Sequence, residues 1–384
     1  MATKLGLTSF GGPIAHLGYF HEEYVRRRKW LDEHGYADLV ALCQFAPGPT
    51  SSKVGFSIGL LRAGYLGGLA AWAGFTLPSA LLLLLFAYGA GALRGTVGQG
   101  VLHGLKLVAV AIVAQAVWGM AKSLCPDRER ASIAGVGALI VLLSASAFSQ
   151  LAAILVGALA GAWLCRHTGA IRAEHAPIKV SRRVGVASLT AFFGLLLGLP
   201  LLRGITGSQA IAMMEAFYRS GALVFGGGHV VLPLLQGAVV APGWVSDDAF
   251  LTGYGAAQAV PGPLFTFAAY LGAVMGPPPN GVAGAALGLV SIFLPGLLLH
   301  LGTLPFWESF RRRAGTQAVM RGINAAVVGL LAAALYSPIW TSAVRRPQDF
   351  AVALVGFILL VGWKAPPVVV VAVSALGGGL TALF

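Results

Sequence analysis

Long apolar runs separated by short charged stretches dominate the pattern of hydrophobic and polar positions along this chain. A helix needs about 20 apolar residues to cross the hydrocarbon core of a bilayer. The runs near or above that length are Tyr65–Leu93, Val97–Ala121, Val184–Leu202, Ala210–Val240, Gly281–Leu304 and Ala318–Trp340. The shorter runs are Leu5–Phe20, Ser132–Phe148, Leu151–Leu164, Phe350–Trp363 and Pro366–Phe384. The pattern predicts an all-α polytopic membrane protein.

The composition excludes a water-soluble globule. Of the 384 residues, 57% are hydrophobic and only 10% are charged, whereas soluble domains carry about 25% charged residues. In such a chain the net charge of +13 reports membrane topology rather than a nucleic-acid partner. Cys43, Cys125 and Cys165 have neither zinc-ligand nor redox-motif spacing. We therefore expect a lipid bilayer as the environment, with no nucleic acid, no metal and no cofactor.

Two apolar stretches, Tyr36–Leu61 and Ala249–Met275, are interrupted in the middle by the sequence Pro-Gly-Pro. Proline removes a backbone donor and clashes with the preceding turn, so two prolines flanking a glycine stop a helix. The freed backbone is tolerated in a membrane only where it is buried in protein or lines a wet cavity. We expect each stretch to be a re-entrant hairpin. The alternative is a kink that only shapes the helix bundle.

The interruptions belong to an internal repeat whose matched positions lie 214 to 218 residues apart. Phe10-Gly11-Gly12 recurs as Phe225-Gly226-Gly227, and Pro47-Gly48-Pro49 recurs as Pro261-Gly262-Pro263. The other matches are Trp30 with Trp244, Gln44 with Gln258, Leu77-Pro78 with Leu294-Pro295, and Val101 and Gly104 with Val319 and Gly322. Because the order is kept, duplication explains the matches better than chance. The sequence predicts a first repeat at 1–170, a basic cytoplasmic linker with a connecting helix at 171–205, and a second repeat at 206–384.

The basic residues indicate that the two repeats have opposite orientations. The loop after the first Phe-Gly-Gly element carries Arg26–Lys29, whereas its counterpart, Gln236–Asp248, contains no Lys or Arg. Conversely, the second half carries Arg311–Arg313 where the first half has only Arg94. Since basic loops stay cytoplasmic, equivalent loops fall on opposite sides of the membrane, as in an inverted-topology repeat. If the Pro-Gly-Pro and Phe-Gly-Gly elements all re-enter, the chain makes nine crossings; full crossings by either kind of element are the alternatives.

Broken helices at matching positions of inverted repeats are typical of substrate sites in membrane transporters. A helix that begins inside the membrane presents unpaired N–H groups and a positive dipole end, which favour an anion. Pro49 is followed by Thr50-Ser51-Ser52-Lys53, so the first turn carries hydroxyls and an ammonium group. Lys106 lies inside an apolar run, and its repeat counterpart is Asn324. The candidate binding residues are Gly11, Gly12, Pro47, Gly48, Pro49, Thr50, Ser51, Lys53, Lys106, Gly226, Gly227, His229, Pro261, Gly262, Pro263 and Asn324.

Several of these residues have simpler interpretations. The long stem of Lys53 allows its charge to snorkel to the membrane surface, whereas Lys106, about nine residues into its run, reaches the surface less readily. His16 and His229 lie near the Phe-Gly-Gly breaks, and an ordinary histidine titrates near neutral pH. They are either proton-linked groups or, more commonly for histidine, packing residues bonded to a neighbouring carbonyl.

Several of these motifs together resemble the chromate ion transporter family. They are Phe10-Gly11-Gly12-Pro13, the Arg-rich turn that ends in Trp30, Ala46-Pro47-Gly48-Pro49, Leu77-Pro78, Phe225-Gly226-Gly227-Gly228-His229 and Pro261-Gly262-Pro263. The resemblance is to the long, two-domain form and extends from about Leu5 to Tyr336. It implies chromate efflux across the cell membrane and chromate resistance, with sulfate, a tetrahedral dianion of similar size, as competitor. A homodimer is left open.

Export of a dianion from the cytoplasm requires no nucleotide hydrolysis. Leaving a negative-inside cell releases about 2.3 kcal/mol per charge per 100 mV, or roughly 4.6 kcal/mol for two charges. The sequence contains no Walker-type Lys motif, so we expect a secondary carrier or uniporter. One alternative is a general sulfate or oxyanion carrier. The other is a membrane-embedded enzyme, which the sequence disfavours because it has no cysteine pair, cofactor motif or paired intramembrane carboxylates.

Overall fold

The computed structural model describes residues 1–10, 12–45, 47–90, 95–144, 149–165, 180–225, 228–306 and 314–382. Within these ranges the chain is helical and contains no β-strand, which confirms the all-α prediction. Five of the described helical segments are long and apolar enough to cross a membrane: Thr50–Gly89, Thr96–Leu124, Arg182–Thr206, Gly281–Phe306 and Gly315–Ala343. Of the residues named above, Gly11, Ala46, Leu93, Arg94, Phe148, Gly226, Gly227, Arg311–Arg313 and Phe384 lie outside the described residues, as do residues 171–179 of the predicted linker.

The described part of the first half folds into α1 (Ala2–Thr8), α2 (Gly12–Phe20), α3 (Glu33–Phe45), α4 (Thr50–Gly89), α5 (Thr96–Leu124), α6 (Arg128–Leu143) and α7 (Ser149–Leu164). A charged π-helix, His21–Arg27, follows α2 directly. The long helix α8 (Arg182–Thr206) connects this half to the second.

The described part of the second half contains α9 (Gln209–Ala222), α10 (Val231–Val239), α11 (Asp247–Ala259), α12 (Phe267–Val274), α13 (Gly281–Thr303), α14 (Ala314–Ala334), α15 (Pro347–Val361) and α16 (Pro367–Thr381). Short 3-10 turns occupy Gly228–Val230, Leu264–Thr266 and Leu304–Phe306. A π-helix, Leu335–Trp340, and a helical turn, Thr341–Ala343, extend α14.

Helix α4 is a hairpin of two arms rather than one rod. Its 40 residues would measure about 60 Å if straight, but the backbone leaves helical geometry at Ala63 and Gly64. Gly64 has a φ of 65°, a conformation that glycine adopts without strain. The arms touch so closely that a Cβ on Gly59 would lie 2.3 Å from the carbonyl oxygen of Gly67. The break therefore sends the chain back along itself.

The second half repeats this hairpin with α12 and α13. A Cβ on Gly272 of α12 would lie 2.1 Å from the carbonyl oxygen of Gly284 in α13. Glycine lets the two helix backbones approach to a distance that any side chain would prevent. Gly67 and Gly284 are 217 residues apart and match in the repeat, whereas Gly59 and Gly272, 213 apart, occupy nearby rather than matching positions.

Each Pro-Gly-Pro interruption is the tip of a second kind of helical hairpin. Cys43 in α3 and Ser57 in α4 are 14 residues apart in the chain, yet both reach one nitrogen of His300, at 4.0 and 2.6 Å. In the second half, the hydroxyl of Tyr270 in α12 donates to the carbonyl oxygen of Ala249 in α11 at 3.1 Å. Helices that continued in one direction would separate such residues by about 20 Å or more. The chain therefore turns back at both motifs.

Each half has a helix that packs against two helices of the other half. Helix α5 of the first half lies against α15 and α16 of the second, and α14 of the second half lies against α6 and α7 of the first. Small residues let the backbones touch at both crossings, where lipid supplies no hydrophobic drive for association. The contacts are Gly100 and Gly104 with Ser374 and Gly378, and Gly322 with Gly157 and Gly161.

The apolar run Ala210–Val240 is not one continuous helix in the structure. Helix α9 ends at Ala222, and α10 begins only at Val231. The run is apolar throughout, but the carbonyl oxygen of Val224 is turned away from the helix and accepts a hydrogen bond from another part of the chain. The run Leu5–Phe20 is interrupted in the same way, between α1 and α2.

Candidate functional site

The two Pro-Gly-Pro tips bind the two Phe-Gly-Gly breaks reciprocally. The amide of Gly48 donates to the carbonyl oxygen of Val224 at 2.8 Å, and the amide of Gly262 donates to the carbonyl oxygen of Ser9 at 2.8 Å. Val224 and Ser9 each directly precede the Phe of a Phe-Gly-Gly motif. Each tip therefore satisfies the broken backbone of the opposite half, as the membrane interior requires.

Both tips require glycine. Gly48 and Gly262 have φ values of 100° and 99°, in the region that residues with a side chain avoid. A Cβ on Gly48 would lie 2.9 Å from the Cα of Gly296, and one on Gly262 would lie 2.7 Å from Oγ of Ser79. Gly296 and Ser79 each follow the proline of a Leu-Pro motif in the repeat. The reciprocal geometry thus extends to the residues that support the tips.

The starts of the two Phe-Gly-Gly elements meet beside the tips. Gly12, with a φ of 79°, begins α2. The ring of Pro13 lies 3.5 Å from the place where Gly228 would carry a Cβ. Pro13 and Gly228 are equivalent positions of the repeat, so the two halves meet here at matching residues.

The first turn of α4 carries the polar groups that follow the first tip. Pro49 precedes it, and no side chain caps the helix. Oγ of Ser51 lies 3.2 Å from Nδ1 of His16, and both residues are buried. Lys53 is fully buried and donates to the carbonyl oxygen of Pro47 at 3.1 Å. Its ammonium group therefore turns inward to the tip and does not snorkel to the surface.

The sequence analysis missed a buried polar group that joins α3 and α4 to α13. Cys43, Ser57 and His300 are fully buried, and Cys43 and Ser57 both reach Nε2 of His300. The equivalent positions of the other half carry apolar side chains, all buried: Ala257, Leu271, Leu83 and, for Lys53, Phe267. The polar group therefore occurs at one of the two repeat-related places only. A histidine inside the apolar run Gly281–Leu304 was the available sequence signal.

Lys106 lies away from the tips and is ion-paired. Its Nζ lies 2.7 Å from Oδ1 of Asp248, in the first turn of α11. Asp248 is 13 residues before Pro261, which places it about 20 Å along α11 from the second tip. The sequence analysis missed Asp248 because the residue lies just outside the apolar stretch. Oδ1 of Asn324, at the repeat position of Lys106, is buried and has no hydrogen-bond partner among the described residues.

The candidate His229 has a structural partner. Nδ1 of His229 lies 2.8 Å from the hydroxyl of Tyr254, in the arm of the second hairpin. Within the described ranges, no group of three His, Cys, Asp or Glu residues is arranged to hold a metal ion.

Comparison with known proteins identifies the family. The sequence profile described as chromate transporter matches residues 1–162 and 211–379, including both Pro-Gly-Pro hairpins and both Phe-Gly-Gly breaks. This chain belongs to the chromate transporter family. Membership confirms the resemblance seen in the sequence, and it makes the chain a multi-pass membrane transporter rather than an enzyme.

Individual members of the chromate transporter family align over nearly the full chain. A probable chromate transport protein from Synechococcus elongatus is 28% identical over 98% of this chain and 92% of its own length. A chromate transport protein from Pseudomonas aeruginosa is 28% identical over 97% of this chain and 89% of its own length. One from Cupriavidus metallidurans is 25% identical over 97% and 90%. No solved structure matches the chain significantly.

Proposed function

We propose that this protein is a secondary carrier that exports chromate from the cytoplasm through the cell membrane. The observation that carries the proposal is the reciprocal bonding of the hairpin tips, Gly48 to Val224 and Gly262 to Ser9. These hydrogen bonds bring the ends of the broken helices together between the two halves. Transporters built from inverted repeats bind their substrates in such a place. We take chromate as the substrate because relatives of this chain are named chromate transport proteins.

The same reciprocity supports an inverted-topology repeat. When two repeats are related by a two-fold axis, each contact from the first repeat to the second has an equivalent contact from the second to the first. The hydrogen bonds of the two tips and the packing of α5 and α14 follow this pattern. Because the basic loops occupy non-equivalent places in the two halves, the axis lies in the membrane plane. The two Pro-Gly-Pro hairpins then re-enter from opposite sides in a chain of nine crossings. The repeats are 1–170 and 206–384, and 171–205 is the linker with its connecting helix.

The buried lysine supports an anionic substrate at the first tip. A dianion leaves water for a low-dielectric site only where positive groups compensate its charge. Lys53 brings an ammonium group to the carbonyl of Pro47, and the first turn of α4 adds a positive dipole end. We assign substrate binding to Gly12, Pro47, Gly48, Pro49, Thr50, Ser51, Lys53, His229, Pro261, Gly262 and Pro263 and, on the sequence motif alone, to Gly11, Gly226 and Gly227. Lys106 and Asn324 then line the route rather than the tips.

Flux in oriented vesicles tests the direction and the substrate. Inside-out vesicles that contain the protein should accumulate radiolabelled chromate when the lumen is made positive, since two negative charges then move down the potential. Lys53→Ala should abolish this uptake. Lys122→Ala is the matched control, because Lys122 is an exposed lysine stacked on the ring of Trp118 at 4.5 Å, and it should transport normally.

Three results would overturn the proposal. Transport of sulfate without chromate would favour the general oxyanion carrier. Chromate movement only into right-side-out vesicles under the same potential would reverse the direction. Full activity of Lys53→Ala would show that the anion does not bind at the first tip.

A further inference from the structure

Three hydroxyl groups are buried near the tips without a partner. Oγ of Ser9, Oγ of Ser52 and Oγ1 of Thr76 have no hydrogen-bond partner among the described residues. Ser9 and Thr76 are fully buried, and Ser52 is 1% exposed. Buried polar groups are nearly always hydrogen-bonded, because a buried donor without a partner has lost its hydrogen bond to water. Three such groups in one region indicate a place built for a ligand.

The second tip brings Ser9 close to Thr76. The carbonyl oxygen of Ser9 accepts the amide of Gly262 at 2.8 Å. A Cβ on Gly262 would lie 3.2 Å from the carbonyl oxygen of Phe75, the residue before Thr76. The carbonyl of Thr76 accepts the hydroxyl of Ser79, which also touches Gly262. Ser9 therefore bonds to Gly262 directly, and Thr76 lies between two residues, Phe75 and Ser79, that are close to Gly262.

The register of the α4 hairpin brings Ser52 to the level of Thr76. Gly59 of the first arm packs against Gly67 and Ala71 of the second arm. Along the axis of the hairpin, Gly59 is therefore at about the same height as residue 69 of the second arm. Ser52 is seven residues before Gly59, and Thr76 is seven residues after residue 69. Because antiparallel helices rise equally per residue, the two hydroxyl-bearing residues reach the same height.

The first turn of α4 completes the surroundings of these hydroxyls. Ser52 belongs to that turn, whose backbone N–H groups have no side-chain cap. The neighbouring Ser51 bonds to His16, and the ring of His16 stands edge-on to Phe75 with 5.4 Å between centroids. The positive end of the helix and the hydroxyl donors thus converge on one region, which suits an oxyanion.

The repeat does not reproduce this group of three unpartnered hydroxyls. The equivalents of Ser9 and Thr76 are Val224 and Phe293, which are buried and apolar. The equivalent of Ser52 is Thr266, whose hydroxyl already donates to the carbonyl oxygen of Pro263 at 2.8 Å. The near-symmetric fold therefore has one set of unmet donors rather than two.

We infer that Ser9, Ser52 and Thr76 donate hydrogen bonds to one fully deprotonated tetrahedral oxyanion per chain, held between the first turn of α4 and the second hairpin tip. The inference rests on the proposed function in taking a chromate-like dianion as the ligand. Its new content is the identity of the donors and the stoichiometry. The hydroxyl protons and the backbone amides of the first turn of α4 can all donate to such a dianion, whose oxygens only accept hydrogen bonds.

Equilibrium binding to the purified full-length protein in lipid nanodiscs tests the inference, with radiolabelled sulfate and chromate as probes. We expect one anion per chain at saturation. Ser52→Ala and Thr76→Val should each weaken binding about tenfold, since each removes one hydrogen bond to a charged group. Ser52→Thr should keep the affinity, because it keeps the hydroxyl. Thr266→Val, the matched control at the repeat position of Ser52, should change affinity less than about twofold.

The outcomes separate this inference from the proposed function. Two anions per chain, or unchanged affinity in both Ser52→Ala and Thr76→Val, overturns the inference even if chromate is exported normally. Binding of one sulfate with the expected losses supports it even if flux shows that chromate is not exported. If Thr266→Val weakens binding as much as Ser52→Ala, both repeats contribute donors, and the assignment of the anion to one set of hydroxyls is wrong. Gel filtration of each variant shows that the protein is folded.

Discussion

Oγ of Ser57 lies 2.6 Å from Nε2 of His300, although the two residues are 243 positions apart in the chain. Both side chains are fully buried. Ser57 belongs to the hairpin of the first half, and His300 to α13 of the second. The contact therefore joins the halves through a hydrogen bond inside the apolar core, where an unmet partner finds no water to replace it.

Replacing Ser57 should destabilise the protein by leaving this histidine nitrogen without its short hydrogen bond. We expect Ser57→Ala to cost about 1–3 kcal/mol, measured as a lower thermal unfolding midpoint in detergent. Ser123→Ala is the matched control, because the hydroxyl of Ser123 is exposed and bonds to its own helix at Gly119. Equal midpoints for the two variants would contradict the assigned role of the contact.

The second hairpin tip should not tolerate a side chain. Gly262→Ala places a Cβ at a φ of 99° and 2.7 Å from Oγ of Ser79, so we expect a loss of about 1–3 kcal/mol from the backbone alone. Gly119→Ala is the control, since a Cβ there meets no atom within 4 Å. It should raise stability slightly, as alanine favours a helix. Comparable yields and midpoints of folded protein would show that the tip is not constrained.

The role of Lys106 can be separated from its ion pair with Asp248. We expect Lys106→Ala to abolish chromate flux while membrane insertion stays normal, because a positive charge inside the protein attracts the dianion along its route. The double variant Lys106→Ala/Asp248→Ala removes both charges, and we expect it to stay inactive. If the double variant regains flux, Lys106 serves only to neutralise Asp248, and its place on the route is wrong.

The inverted topology predicts which sides of the membrane carry four exposed positions. In a background with the three cysteines replaced by alanine, single cysteines at Arg26 and Ala63 should react with an impermeant thiol reagent only in inside-out vesicles. Single cysteines at Ala241 and Gly276 should react from outside whole cells. The opposite sides follow from re-entry of each Pro-Gly-Pro hairpin and from the basic residues. Labelling of all four positions from one side would refute the inverted repeat.

The sequence by itself determined the features that depend on local chemistry. Proline at positions 47, 49, 261 and 263 withdraws backbone donors, so both helix breaks are visible in the sequence, and the structure confirms them. Glu215 and Arg219 are four residues apart on α9 and form an ion pair at 2.6 Å, which this spacing on one helix face favours. The apolar runs establish helices in lipid, because an isolated backbone has no other way to satisfy its own hydrogen bonds there.

Only the tertiary structure decided which distant residues meet. Hydropathy cannot distinguish Ala210–Val240 from a continuous helix, because the break is stabilised by the amide of Gly48 from the other half. Nor does it pair Lys106 with Asp248 or His300 with Ser57. These contacts arise from the exchange of helices between the halves, and their residues are far apart in the chain. Apolar periodicity reports which face of a helix avoids water, but the partner of a buried polar group depends on the packing of the whole bundle.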